Sequence, residues 1–153
     1  MPEQYRRSFT VRWGEVDTLG HMGNVAYLDK CVDVRFGYFA SQGVKAGELL
    51  AGGVGPVVRR DEVDYFRELK FQERYDVDLC LAGISPDGSR FRLRNVFYRA
   101  DGKRAARVVS SGGWLDLAQR RLVAAPEPIL RALLALPRTE DYADLESSLR
   151  PNR

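Results

Sequence analysis

The sequence predicts an α+β fold: one antiparallel sheet of about five strands with one long helix lying on one face. Three observations carry this reading. Alternating apolar runs fill most of the chain from Pro56 to Val123. Residues 24–40 instead repeat apolar side chains at helical spacing. Turn signals, SPDGS and ADGK, separate the later runs at intervals too short for crossover helices, so neighbouring strands run antiparallel.

In chain order, Ser8–Trp13 (SFTVRW) alternates and is rich in strand formers, giving a first strand. A loop with Gly14, Gly20 and Gly23 comes next. The helix runs from Asn24, a suitable N-cap, to Ala40, with Leu28, Cys31, Val32, Arg35 and Phe39 on its apolar stripe. Ser41-Gln42-Gly43 ends it, and Lys45–Gly55 is a small-residue connector with a short helical turn. Four strands then form a meander: Val57–Phe66, Arg74–Ile84, Arg90–Arg99 and Lys103–Asp116, with Gln119–Val123 closing it. Pro128–Leu136 reads as a short amphipathic helix. Residues 1–136 form one domain, and the polar residues 137–153 read as a loose tail. Within Arg90–Arg99, Arg90, Arg92 and Arg94 share one sheet face and Phe91, Leu93, Asn95 and Phe97 the other. A single helix covers one face, so an aromatic face is expected to await a ligand or a second subunit.

Composition narrows the function. A chain of 153 residues, 44% hydrophobic and 29% charged, can bury its own core without staples. Cys31 and Cys80 lie inside apolar patterns without CxxC spacing and read as reduced core thiols of a cytoplasmic protein. One histidine makes a His/Cys zinc site improbable, so no metal is expected. The N-terminus has no apolar signal region, and no run approaches the roughly 18 apolar residues of a membrane span. A net charge of +3 with clustered arginines suits a small phosphate-bearing partner better than nucleic acid. Nucleophile elbow, Walker A and GxGxxG motifs are missing, so no cofactor is expected and side chains with backbone must supply any chemistry.

The loop WGEVDTLGHMGNVAY, Trp13–Tyr27, concentrates what chemistry there is. It places Glu15, Asp17, His21 and Asn24 directly before a helix, whose first N–H groups and positive dipole end favour negative charge on an oxygen. A carboxylate there can act as general base or nucleophile, which suffices for acyl transfer from an activated ester such as a thioester. Each residue also has a structural role open to it. Asp17 can close an Asx turn, His21 can bond the loop, and Asn24 can cap the helix.

The stretch VRWGEVDTLGHMGNVAYLDKCVDVR resembles the signature of hotdog-fold acyl-CoA thioesterases of the 4-hydroxybenzoyl-CoA thioesterase-like group. VVRRDEVDYFRELKFQERYDVDLCL resembles that family's second and third strands, and GWLDLAQRRLVAAPEPIL its last strand, turn and closing helix. The resemblance implies a sheet wrapped around the long helix, subunits paired edge to edge as a homodimer or homotetramer, and active sites at the interface. It implies Asp17 as the catalytic carboxylate and the Asn24 amide as the donor that polarises the thioester carbonyl. His21 becomes a supporting group, and Tyr27 either lines the acyl pocket or packs in the core. Where many relatives have two adjacent asparagines, this chain has Gly23-Asn24. Arg59, Arg60, Arg90 and Arg104 are candidates for the phosphates of an acyl-CoA substrate, since a guanidinium fork pairs with phosphate oxygens. A thioester hydratase or dehydratase pairing Asp17 with His21, and a non-catalytic binder of acyl-CoA or acyl-carrier protein, are the alternative functions.

Overall fold

The computed structural model describes residues 4–149. Seven strands form one sheet, two more than expected: β1 (Tyr5–Thr10), β2 (Val54–Tyr65), β3 (Arg74–Ile84), β4 (Arg90–Arg99), β5 (Arg104–Asp116), β6 (Arg121–Val123) and β7 (Arg138–Asp144). Three α-helices accompany them: α1 (Asn24–Ser41), the one long helix, with the short α2 (Ala46–Ala51) and α3 (Glu127–Leu134) where the sequence predicts a helical turn and a short amphipathic helix. None of these helices is long and apolar enough to cross a membrane.

The strand order is β1-β3-β4-β5-β2. The turns after β3 and β4 are short enough for a meander, and β3, β4 and β5 are neighbours as the alternation predicts. The expected fourth neighbour is displaced. β2 does not pair with β3 but crosses to the far side of β5, with Val54 opposite Asp116 and Tyr65 opposite Ala106. β1 takes the other edge, against the first half of β3. Sequence order alone cannot reveal this crossing, because the residues from Phe66 to Glu73 are long enough to connect either arrangement.

One reading of the chain end needs correction. Residues 138–144 are not a loose tail: they form β7, parallel to the second half of β3, with Leu81 opposite Arg138 and Ile84 opposite Asp144. The polar composition misled because this edge strand is mostly exposed, and its pairing uses backbone groups, which composition does not report. Arg94 fastens it from the sheet, with Nη1 3.0 Å from both Glu140 carboxylate oxygens. Ser147 then donates to Asp87, and Ser148 N donates to Ser89 Oγ at 3.0 Å. Residues 150–153 of the expected tail lie outside the described residues.

The core lies between α1 and the sheet. Tyr75, Phe91, Phe97 and Trp114 are all buried there, so the aromatic sheet face is already covered within one chain. The opposite face is charged, carrying Arg92, Arg94 and Arg107 with Glu62, Asp64 and Glu140 around a depression of about 320 Å³. The alternation of β4 is as expected: Phe91, Leu93, Asn95 and Phe97 are buried and the three arginines are part-exposed.

The buried face of α1 is Tyr27, Lys30, Cys31, Val34, Arg35, Tyr38 and Phe39. Leu28 and Val32, read as part of the inward stripe, are exposed instead. The inward face tolerates two cations because each meets partners. Arg35 donates to Asn95 Oδ1 at 3.0 Å and Ser110 Oγ at 2.7 Å, and Ser110 donates to Asp61. These bonds pin α1 to β4 and β5 with a direction that apolar contact alone would not give.

Candidate active site

A 3-10 turn, Trp13–Glu15, turns the chain from β1 into the loop before α1. Glu15 organises that loop. Its Oε1 accepts from Arg12 N at 2.9 Å, its Oε2 lies 2.9 Å from Lys30 Nζ, and its carbonyl accepts from Gly23 N at 2.8 Å. One residue thereby holds both ends of the loop and ties them to α1. The Glu15 and Lys30 side chains are 8% and 7% exposed, so this ion pair is sheltered from water. Burial acts to raise the Glu15 carboxyl, but the Lys30 hydrogen bond, the Arg12 amide and both cations outweigh it and hold it below the usual value.

The loop itself is a narrow hairpin, with Val16 bridged to Met22. Asp17 N donates to His21 O at 2.8 Å, and Gly20 N donates back to Asp17 O at 3.0 Å. Gly20 has φ +80, a conformation that L side chains rarely adopt, which explains a glycine at that corner. Asp17 Oδ1 accepts from Leu19 N at 2.9 Å and His21 N at 3.3 Å. The Asx-turn role is therefore present. Among the described residues Oδ2 receives no hydrogen bond, so one carboxylate oxygen stays available.

Asn24 is the first residue of α1, and Gly23, not Asn24, is the N-cap. A glycine cap offers no side chain, and the Asn24 N–H has no acceptor within the helix. A Cβ built on Gly23 would stand 3.7 Å from the Asp17 Cβ, so the carboxylate-bearing residue lies against the helix start. Asp17 and Asn24 both border two depressions. One, of about 940 Å³, opens toward Trp13, Val25 and Asp29. The other, of about 250 Å³, is lined by His21, Tyr27, Tyr65, Phe66 and Arg67. Asp17 and Asn24 thus form the ridge between two grooves.

His21 is half-buried, bridged through its backbone to Lys70. Its backbone amide meets Asp17; among the described residues no hydrogen bond joins the imidazole to that carboxylate. Tyr27 is buried, edge-on to Tyr65 at 5.3 Å and to Phe97 at 5.0 Å, so it belongs to the core while bordering the smaller groove. Desolvation pushes its hydroxyl up to about 12, which keeps it protonated as a donor.

The four arginines do not gather at this ridge. Arg59 and Arg60 sit in the middle of β2, exposed, beside a bulge, and Arg60 pairs with Glu62 at 2.9 Å. Arg90 opens β4, where Nη1 donates to Glu146 O at 3.5 Å. That is seven residues from Phe97, about 23 Å at strand rise. Arg104 opens β5 beside Tyr98, at the site end of the sheet. Sequence reasoning missed Lys30 and Arg67. A lysine on the inward face of α1, spaced with Tyr27 and Val34, was the available signal for the first; nothing local marked the second.

Known proteins share this fold. The family model described as thioesterase-like superfamily matches residues 11–133. A 1,4-dihydroxy-2-naphthoyl-CoA thioesterase from Synechocystis superposes with a TM-score of 0.78 at 16% identity, over 86% of this chain and 96% of that one. A Staphylococcus aureus protein solved in complex with CoA gives 0.79 at 20% identity, over 91% and 89%. A DHNA-CoA thioesterase from the same organism gives 0.78 at 14% identity, over 86% and 89%. No curated protein matches by sequence. These structures share the seven-stranded chain's fold, the hotdog arrangement that the loop signature implied, and the chain belongs to the thioesterase-like superfamily.

Proposed function

We propose that the protein is an acyl-CoA thioesterase, converting an acyl-CoA and water to a free acid and CoA. The observation that carries this is the ridge: a carboxylate with one unengaged oxygen beside a helix-start N–H, bordering two grooves at once. A thioester laid across the ridge would have its acyl group in one groove and its CoA arm in the other. The carbonyl oxygen would face the Asn24 amide and the positive end of α1. Asp17 Oδ2 would then deprotonate water as it adds to the carbonyl carbon, and the tetrahedral adduct would expel the CoA thiolate to leave the free acid. Alternatively, Oδ2 would attack that carbon itself, expelling the thiolate to leave a mixed anhydride that water hydrolyses to the free acid and Asp17. The Leu19 and His21 amides hold the other oxygen in place, so the carboxylate is oriented before substrate arrives. Relatives named as CoA thioesterases support the substrate class.

The working unit we infer is a homodimer. The outer edge of β2 has no strand neighbour among the described residues, and Val25, Leu28 and Val32 form an exposed apolar stripe along α1 beside it.

A panel of aromatic and aliphatic acyl-CoAs, assayed by thiol release, tests the reaction. Asp17→Asn keeps the size and can still accept one turn hydrogen bond, yet removes the base. We expect its kcat to fall by about 10²–10⁴. Undiminished turnover in Asp17→Asn would remove the assignment.

A further inference from the structure

The phosphate-binding groups can be located from the smaller groove. Arg67 lines it, and its Nη1 lies 3.4 Å from the carbonyl of Arg104, which opens β5. The β4–β5 turn brings Arg99 and Lys103 to the same end, with Arg99 N donating to Lys103 O at 2.8 Å. Lys70 joins them through its bridge to His21. Five cations thus meet at this end of the sheet beside three acids, Glu68, Asp101 and Glu73, whose Oε2 accepts from Lys70 N at 3.3 Å. Glu68 is held low first by its own backbone N–H and then by His21, Lys70 and Arg99. Asp101 is held low first by the Lys103 amide and then by Arg99, Lys103 and Arg67. Glu68 and Asp101 both sense Arg99, so Arg67, Lys70, Arg99 and Lys103 share one positive field, and Arg104 adjoins it through the contact of its carbonyl with Arg67. Asp101 is already engaged by Arg99 at 3.6 Å, while Arg67, Lys103 and Arg104 are exposed and make no ion pair among the described residues.

Like charges held side by side with fewer counter-charges than cations favour the arrival of an anion. We propose that Arg67 and Arg104, with Lys103 beside them, bind the phosphate groups of CoA. The pantetheine arm then runs past Phe66, Tyr65 and His21 to the ridge at Asp17 and Asn24, and the acyl group occupies the larger groove. The assignment rests on the thioesterase reading for its ligand. It selects Arg104 from the four arginines offered by sequence and adds Arg67. Guanidinium forks suit this task because each can pair with two phosphate oxygens.

Calorimetric titration of CoA and of pantetheine into the full-length protein tests it, because neither titration needs turnover. The wild type should bind CoA about ten-fold or more tightly than pantetheine, as expected for charge-assisted bonds. Arg67→Ala/Arg104→Ala should bring the two affinities within about three-fold, whereas Arg121→Ala/Arg131→Ala, which removes the same two charges from β6 and α3, should keep the gap. Should the double variant melt, raising salt from about 0.05 M to about 0.5 M on the wild type should narrow the same gap. Equal affinity of the wild type for CoA and pantetheine overturns the proposal, as does a gap that survives the double variant or, where that variant melts, the added salt. Absence of hydrolysis with every acyl-CoA would instead overturn the thioesterase reading and leave the phosphate contacts standing.

Discussion

Glu15 and Lys30 show how much of the ridge depends on groups that never touch a substrate. Their sheltered pair joins the 3-10 turn to α1, and the Glu15 carbonyl fixes Gly23, the residue before the proposed oxyanion donor. Lys30→Met leaves a buried carboxylate with only the exposed Arg12 guanidinium, 3.5 Å away, as its cation, and removal of one partner from a buried pair costs about 3–5 kcal/mol. We expect a matching loss in denaturant-unfolding free energy, with kcat reduced as the loop loosens. The folded Glu15 carboxyl lies below its unfolded value, so the pair's contribution is fully present above the unfolded glutamate pKa of about 4.3. It is lost as pH falls through the lower, folded value. Unfolding free energy measured from neutral to acid pH should therefore fall less for Glu15→Gln than for the wild type over that acid window. Cys31 behaves oppositely to a reactive thiol: burial pushes it up to about 12, in keeping with a packing role.

At the scale of elements, close approaches of backbone to glycine decide where the sheet edges join. A Cβ on Gly83 would lie 2.7 Å from the Ala143 carbonyl, so β7 can dock on β3 only past a residue without a side chain. Gly83→Ala should lift β7 away while β1, on the other half of β3, stays paired. Hydrogen exchange would show this as faster exchange confined to 138–144 and the facing end of β3. The same principle applies more severely at Gly112, where an added Cβ would fall 2.0 Å from the Val57 carbonyl in the β2–β5 pairing. The meander, the helix and the turns around them were readable from alternation and turn chemistry, since these are local. The partner of β2 and the existence of β7 were not, because both depend on backbone pairing across distant segments. The α1 stripe was half readable: helical spacing marks positions 28, 31, 32, 35 and 39 alike, and only packing decides that Leu28 and Val32 face out.

For the whole molecule, the exposed stripe on α1 meets β2 at Val32, beside Pro56 and Val58, on the edge that has no strand neighbour among the described residues. If two copies meet there, introducing charge should separate them. We expect Leu28→Glu/Val32→Glu to sediment as a monomer under conditions where the wild type sediments as a dimer. Turnover should fall with it, because the larger groove opens beside Val25 and would lose its second wall. The outer sheet face, by contrast, carries mixed charges that are partly neutralised within the chain, as in the Arg107–Asp64 pair at 2.9 Å and the Arg94–Glu140 pair at 3.0 Å. It offers little apolar area to drive association.

By itself, the sequence determined the α+β class, the β3–β4–β5 meander, the helix and the loop that carries Asp17 before Asn24. These come from periodicities and turn residues, which are properties of neighbours along the chain. Only the tertiary structure decided that Asp17 and Asn24 share a ridge between two grooves, that Glu15 is locked to Lys30, and that Arg67 stands with Arg104 while Arg90 lies at the far end of β4. Those relations arise where segments far apart in sequence are brought together by burial of a common core, and no local pattern encodes which of several charged residues will end up facing the same space.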